Sequence, residues 1–283
     1  MLDLYKIEGC KNLDDNACFK REETYPSFQQ DLQKFKDHLK HLVSNNECKT
    51  FYKFGDGDYR FLKKQAIGSA QPGRRALSRS YDSIGHEKFV EGAQLNDYYT
   101  CEIYPENRAM FSQVIDKGVD YPAEYGYSLV SNKWFFKKFA GKIGLIGARE
   151  KMKLIQELMK HEEYQEYLGL ESFNDYIYFP QKYACDDIDA VEDLVGKQLE
   201  RSSSDIFLLG IGHAKSAILH RFKNYKDAVY LDVGAGIDCI AGCIDIHRPY
   251  AGNWTNYRIE GYDYGKVDYL AYQGLGKHIT LNK

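Results

Sequence analysis

Two aspartates, Asp56 and Asp58, stand at alternate positions in the stretch KFGDGDYRF, and a glycine precedes each of them. The aromatic run TFYKF, residues 50–54, is typical of a strand that leads into this stretch. In an extended or tightly turned segment the two carboxylates project to the same side, where they could hold Mg²⁺ or Mn²⁺ beside substrate phosphates. The alternative is an ordinary turn, in which aspartate side chains bond their own backbone.

Glycine turns also follow three later apolar runs: GLIGA at 144–148, GIGHAK at 210–215 and DVGAGID at 232–238. Ligands of parallel sheets bind beyond the carboxyl ends of the strands, where glycine lets a phosphate approach backbone N–H groups. The second turn suits this best, because it places Gly210, Gly212, His213 and Lys215 at one helix start. The alternative is that strand-to-helix turns prefer glycine whatever they bind.

The chain is long enough to bury a large core, with 283 residues of which 43% are hydrophobic. Its net charge of −3 argues against a nucleic-acid surface built on bulk positive charge. We expect a soluble cytoplasmic protein, because no apolar run is long enough for a membrane span and MLDLYKIEGC lacks a signal-peptide core. The seven cysteines form no C-x-x-C pair, which favours a reducing compartment and argues against zinc.

Short apolar runs alternate with amphipathic helical patterns in the second half of the chain. GKIGLIG precedes AREKMKLIQELMKH, DYIYFP precedes DDIDAVEDLVGKQLE, and DIFLLGIG precedes HAKSAILHRF. This order predicts an α/β fold of Rossmann-like type, with a mostly parallel sheet flanked by helices. We expect a single domain over 1–283, with an N-terminal helical region (1–49), a Rossmann-like core (50–250) and a C-terminal tail (251–283). Apolar spacing predicts a helix over 27–43.

Several stretches, taken in order, resemble the glycosyltransferases of the GT-D fold type, formerly a domain of unknown function. The stretch YKFGDGDYRFL is similar to their R-F-G-D-G-E signature, and the later ones are GYSLVSNKWFF, GKIGLIGAREK, YFPQKYACDDID, IFLLGIGHAKSAILHRF and VYLDVGAGID. Asp56 matches the first acidic position of the family's D-x-E motif, Asp58 replaces its glutamate, and Lys53 stands where the family often has arginine. The resemblance covers roughly residues 50–250, and 68–100 have no counterpart.

Two further matches concern the later strands. Gly210, Ala214 and Lys215 match the family's L-G-x-x-A-K unit, while Asp232 and Asp238 match its final D-I-G-x-x-D strand. The resemblance implies transfer of a sugar from a UDP-sugar, with glucose as the default and xylose or galactose open, to a hydroxyl of a glycan or glycoprotein acceptor.

The implied site has three parts. Mn²⁺ or Mg²⁺, held by Asp58 with Asp56, would offset the charge of the departing diphosphate. Residues expected to contact the nucleotide-sugar are Gly55, Asp56, Gly57, Gly210, Gly212, Lys215 and Arg248. An inverting reaction needs a general base, for which Asp232, Asp238 and His213 are the open candidates.

Two other classes of function stay open from the sequence. VYLDVGAGID also looks like the first motif of a methyltransferase, so the 232–238 turn could bind a nucleotide or S-adenosylmethionine; that motif normally opens the sheet, whereas here it comes late. A full G-x-G-x-x-G is absent, which gives little support to a nicotinamide or flavin cofactor. The third possibility is an interaction module in which D-G-D is only a turn.

Overall fold

The computed structural model describes residues 28–64, 85–130, 133–180, 184–243, 257–264, 267 and 279–281. The strands in these ranges are β1 (Lys49–Phe54), β2 (Tyr98–Cys101), β3 (Tyr121–Pro122), β4 (Ile143–Ala148), β5 (Asp175–Phe179), β6 (Ile206–Gly210), β7 (Val229–Asp232), β8 (Tyr257–Ile259) and β9 (Ile279–Leu281). The helices are α1 (Phe28–Ser44), α2 (Asp56–Leu62), α3 (His86–Ala93), α4 (Pro105–Ser112), α5 (Ala123–Val130), α6 (Lys133–Lys138), α7 (Arg149–Leu158), α8 (Glu162–Leu168), α9 (Ile188–Leu199), α10 (Lys215–Ile218) and α11 (Gly236–Ile240). Short 3₁₀ segments at Gly212–Ala214 and Leu219–Asn224 flank α10.

Seven strands form one sheet in the order β3-β2-β1-β7-β6-β4-β5, and every neighbouring pair is parallel. β8 and β9 pair separately. The central strands are largely apolar because parallel strands with helices on both sides are buried on both faces. All four residues of β7, for example, are buried. The predicted Rossmann-like α/β fold is confirmed.

Each face of the sheet carries its own hydrophobic core. Side chains alternate along a strand, so Phe51 packs into one core and Tyr52 into the other. The first core includes residues of α1, α5, α6, α7, α8 and α11, and the second includes residues of α2, α3, α4, α9 and α10. The result is a three-layer arrangement of helices, sheet and helices.

The chain leaves neighbouring strands toward opposite faces at the centre of the sheet. β1 leads into α2 and β6 leads toward α10, both on the second core, whereas β7 lies between them and leads into α11 on the first core. Diverging connections of this kind open a crevice at the carboxyl ends of parallel strands, which is where ligands of open α/β sheets bind.

Two local predictions have different outcomes. The helix predicted over 27–43 is confirmed as α1, Phe28–Ser44. The prediction that Asp56 and Asp58 lie in an extended or tightly turned segment is wrong, because α2 already begins at Asp56. Gly55 is the N-cap of α2, and its N–H donates to the Asp58 carboxylate at 2.9 Å, one half of a capping box.

No helix within the described ranges is long and apolar enough to cross a membrane. The division into a single domain with an N-terminal region and a tail stays a prediction.

The packing of α3 against α10 gives a stability prediction. A Cβ at Gly92 of α3 would lie 2.4 Å from the carbonyl oxygen of Ser216 and 3.0 Å from Cα of Ala217. Gly92→Ala should therefore lower the free energy of unfolding by about 1–3 kcal/mol despite the better helix propensity of alanine. Urea denaturation measures it. Gly118→Ala is the control, because a Cβ there meets nothing within 4 Å, and equal stability of the two variants would contradict the packing argument.

Candidate functional site

The side chain of Lys215 joins the carboxyl ends of the central strands. Its ammonium lies 2.7 Å from Oδ2 of Asp232 and 3.1 Å from Oδ2 of Asp58, and it donates to the carbonyl oxygen of Lys53. The face of the Tyr52 ring lies 4.8 Å away. An ammonium has three protons, so these three oxygens use its full donor capacity. Lys215 is buried, at 5% exposure, so its contacts stabilise the site from within the protein interior.

The carboxylate of Asp232, at the end of β7, is buried and binds groups inside the protein. Besides Lys215, its Oδ2 accepts the N–H of Lys53 at 3.2 Å, and its Oδ1 accepts the N–H of Gly234 at 2.9 Å. Its side chain is only 1% exposed. Asp232 therefore stabilises the junction of β1 and β7 rather than facing the crevice.

Asp58 is the second carboxylate on Lys215. Its Oδ1 lies 3.4 Å from Nδ1 of His213, while its Oδ2 accepts the N–H of Gly55. Burial alone would raise the pKa of Asp58, but the charge of Lys215, followed by the nearby imidazole of His213, outweighs burial and holds this pKa well below its usual range. The carboxylate is thus ionised, and both of its oxygens contact neighbouring groups.

Asp56 does not share the environment of Asp58. It is exposed, whereas Asp58 is buried, because positions two apart on a helix point roughly 200° away from each other. The expected pairing of the two carboxylates on one side is therefore wrong. No group of three or more His, Cys, Asp or Glu side chains in the described residues could hold a metal ion. The predicted Asp56–Asp58 pair does not fit Mn²⁺ or Mg²⁺.

His213 lies beside Asp58 and is only partly covered. Its ring stacks on Phe61 of α2, with centroids 4.6 Å apart and an angle of 3° between the planes. A Cβ at Gly57 would lie 3.4 Å from Cε1 of His213, so the imidazole lies directly against the start of α2. The side chain is 16% exposed. The stacking and the nearby carboxylate together fix the orientation of the imidazole.

Lys53 supplies a second cation at the crevice. Its Nζ lies 3.4 Å from the position of a Cβ at Gly55 and 3.8 Å from that at Gly234. The ammonium therefore lies between the turns that follow β1 and β7, and the residue is half-buried. The motif match places Lys53 where the family often has arginine, but neither Lys53 nor Phe61 was among the predicted site residues; the position of Lys53 at the end of β1 was a further signal.

The glycines of the GIGHAK turn have structural reasons of their own. A Cβ at Gly210 would lie 2.6 Å from the carbonyl oxygen of Gly234 and 2.9 Å from Cγ1 of Ile237. Gly212 has φ of +59°, which favours glycine. Their contact with a nucleotide-sugar stays a prediction.

Two predicted site residues are not placed beside Lys215 and its partners. Asp238 lies on α11, at the first core, and its Oδ1 pairs with Nζ of Lys151 of α7 at 2.5 Å. Arg248 lies outside the described residues. The structure thus brings together Asp58, His213, Lys215 and Asp232 from the predicted set.

Comparisons of the chain with models of known protein families, with curated proteins and with solved structures give no match. The resemblance to the GT-D glycosyltransferases therefore stays a prediction from the motifs.

The low pKa of Asp58 gives a pH-dependent stability prediction. A carboxyl whose pKa is depressed on folding stabilises the protein above its unfolded pKa of about 3.9, and this contribution is lost as the pH falls toward the folded value. Asp58→Asn should therefore lower the free energy of unfolding by roughly 3–5 kcal/mol at pH 7, and the difference from wild type should shrink below pH about 4. Urea denaturation between neutral and acidic pH measures this.

The matched control is Asp56→Asn, two positions away on the same helix. Because Asp56 is exposed, this substitution should change the free energy of unfolding at pH 7 by less than about 0.5 kcal/mol. A difference between wild type and Asp58→Asn that stays constant down to low pH would contradict the assignment of Asp58 as an ionised partner of Lys215.

Proposed function

We propose that this protein is a glycosyltransferase that moves a sugar from a UDP-sugar donor to a hydroxyl group of a glycan or glycoprotein acceptor. Glucose is the default donor sugar, with xylose and galactose as the alternatives. The supporting observation is the convergence of three distant motif segments, 53–58, 210–215 and 232–234, at the carboxyl ends of the adjacent strands β1, β7 and β6. The carboxyl ends of the strands are the usual ligand position in such sheets.

The donor's diphosphate would lie at the carboxyl ends of β1 and β7. Lys53 carries an ammonium between the two turns there, and a fixed cation of this kind offsets the negative charge that a departing diphosphate gains. Lys215 cannot do this by direct contact, since Asp58, Asp232 and the Lys53 carbonyl use its three protons. No step is assigned to a divalent ion, because the predicted carboxylate pair does not fit one.

His213 is the general base that the geometry favours. Both oxygens of Asp232 bind internal donors, and Asp238 pairs with Lys151 beside the other core. Asp58 lies 3.4 Å from Nδ1 of His213, which leaves Nε2 to take the proton, as in other carboxylate-oriented histidine bases.

The proposed reaction is a single displacement at the anomeric carbon of the sugar. The acceptor hydroxyl gives its proton to His213 while its oxygen forms a bond to the anomeric carbon of the sugar. The bond from that carbon to the diphosphate oxygen breaks, and UDP leaves with the electron pair. Attack opposite the leaving group inverts the anomeric configuration.

A donor screen that measures UDP release tests the proposal. Wild-type protein should release UDP from at least one of UDP-glucose, UDP-xylose and UDP-galactose, with hydrolysis as the readout where no acceptor is known. His213→Gln should lower kcat about 10²-fold or more, because the proton acceptor is lost, while KM changes little. Asp193→Asn is the control, since this exposed residue pairs with Lys197 on α9, and it should keep full activity.

One result would contradict the proposal, and a second would contradict only the role of His213 in it. Absence of UDP binding in calorimetry together with binding of S-adenosylmethionine would favour the methyltransferase alternative. An unchanged kcat in His213→Gln, in a protein that does release UDP, would leave the transferase standing and remove His213 as its base.

A further inference from the structure

We infer that Lys215 occupies the place of a divalent ion between Asp58 and Asp232, so that this site binds its nucleotide without a metal held by those carboxylates. The inference deepens the proposed function, and its nucleotide part rests on it. It reverses the metal requirement that the sequence motif implies.

The ammonium of Lys215 is enclosed as a bound cation would be. It contacts Oδ2 of Asp232, Oδ2 of Asp58 and the carbonyl oxygen of Lys53, and the Tyr52 ring closes a further side at 4.8 Å. Hard divalent ions bind carboxylate and carbonyl oxygens, which are the types of oxygen that surround this ammonium. A metal could reach these oxygens only if Lys215 withdrew.

Withdrawal is opposed by the surroundings of the lysine. Tyr52, beneath the ammonium, is itself fixed by a 2.8 Å hydrogen bond to Ser216, the next residue after Lys215. Ser216 and Tyr52 are fully buried. The lysine side chain thus has buried neighbours at both ends.

Charge balance points the same way. The ammonium of Lys215 already pairs with the carboxylates of both Asp58 and Asp232. A divalent ion added here would lie beside that ammonium and be repelled by its charge. A donor diphosphate, in contrast, brings its own negative charge to the Lys53 ammonium.

Lys215 is accordingly a positioning residue. It holds Asp58 beside His213, and it holds Asp232 against the backbone of β1. The cation that meets the ligand is Lys53.

A manganese titration of the full chain, followed by the electron paramagnetic resonance signal of free Mn²⁺, tests the inference. Wild-type protein should show no Mn²⁺ binding that Asp58→Asn abolishes. Lys215→Ala, which uncovers the two carboxylates, should bind Mn²⁺ at least about 10-fold more tightly than wild type. The double variant Lys215→Ala/Asp58→Asn should lose this gain.

A second measurement uses UDP as the probe. Its affinity for wild type, measured by calorimetry, should differ less than about threefold between EDTA and Mn²⁺. The inference is overturned by Mn²⁺ binding to wild type that Asp58→Asn removes, or by a UDP affinity that rises about 10-fold with Mn²⁺ in wild type but not in Asp58→Asn.

The outcomes separate the two proposals. If Lys215→Ala does not fold, the comparison of wild type with Asp58→Asn still decides the inference. If UDP binds under neither condition, the proposed function fails, and the Mn²⁺ titration alone still decides whether Lys215 excludes the metal.

Discussion

A buried ammonium shared by two carboxylates determines the arrangement of the central strand ends. Lys215 follows β6, Asp58 follows β1 and Asp232 ends β7, so one side chain connects the three segments that line the crevice. Charges are costly to bury, and removing one partner of a buried pair leaves the other uncompensated, at a cost of about 3–5 kcal/mol. The native position of each of these segments therefore depends on the others.

The chemistry at the crevice follows from this internal pairing. Because Lys215 binds Asp232 and Asp58 internally, the proposed function gives the ligand contacts to Lys53 and His213, at the edge of these pairs. One is a cation suited to a phosphate, and the other is a base oriented by a carboxylate and by stacking on Phe61. In the proposed function, Lys53 would face the anionic donor and His213 the hydroxyl of the acceptor.

The sequence predicted the fold well, because the fold depends on local patterns. Runs such as IFLLG followed by a glycine turn are the signature of a buried parallel strand, and β6 occurs there. The helix that begins at Asp56 was not predicted, because a glycine before an aspartate suits both a turn and a helix N-cap. With only seven residues, α2 is too short to show a helical period.

The site was predicted only in part, since its contacts join residues far apart in the chain. Lys215 and the Lys53 carbonyl are 162 residues apart, and no spacing rule gives the partner of a buried lysine. The motifs named His213, Lys215, Asp58 and Asp232 separately, but assigned them to metal, nucleotide and base roles. Burial and charge pairing, which only the folded structure provides, reassign three of them to one internal network.

A double-mutant cycle between Lys215→Met and Asp232→Asn, measured by urea denaturation at neutral pH, tests that network most directly. Lys215→Met leaves two buried carboxylates without their cation, and Asp232→Asn removes one of the two carboxylate partners of Lys215. Each single variant should therefore be destabilised, while the double variant should be more stable than additivity predicts by about 1.5 kcal/mol or more. Destabilisations that add within about 0.5 kcal/mol would show that the two side chains do not interact, and would contradict the role of Lys215 as the cation of the site.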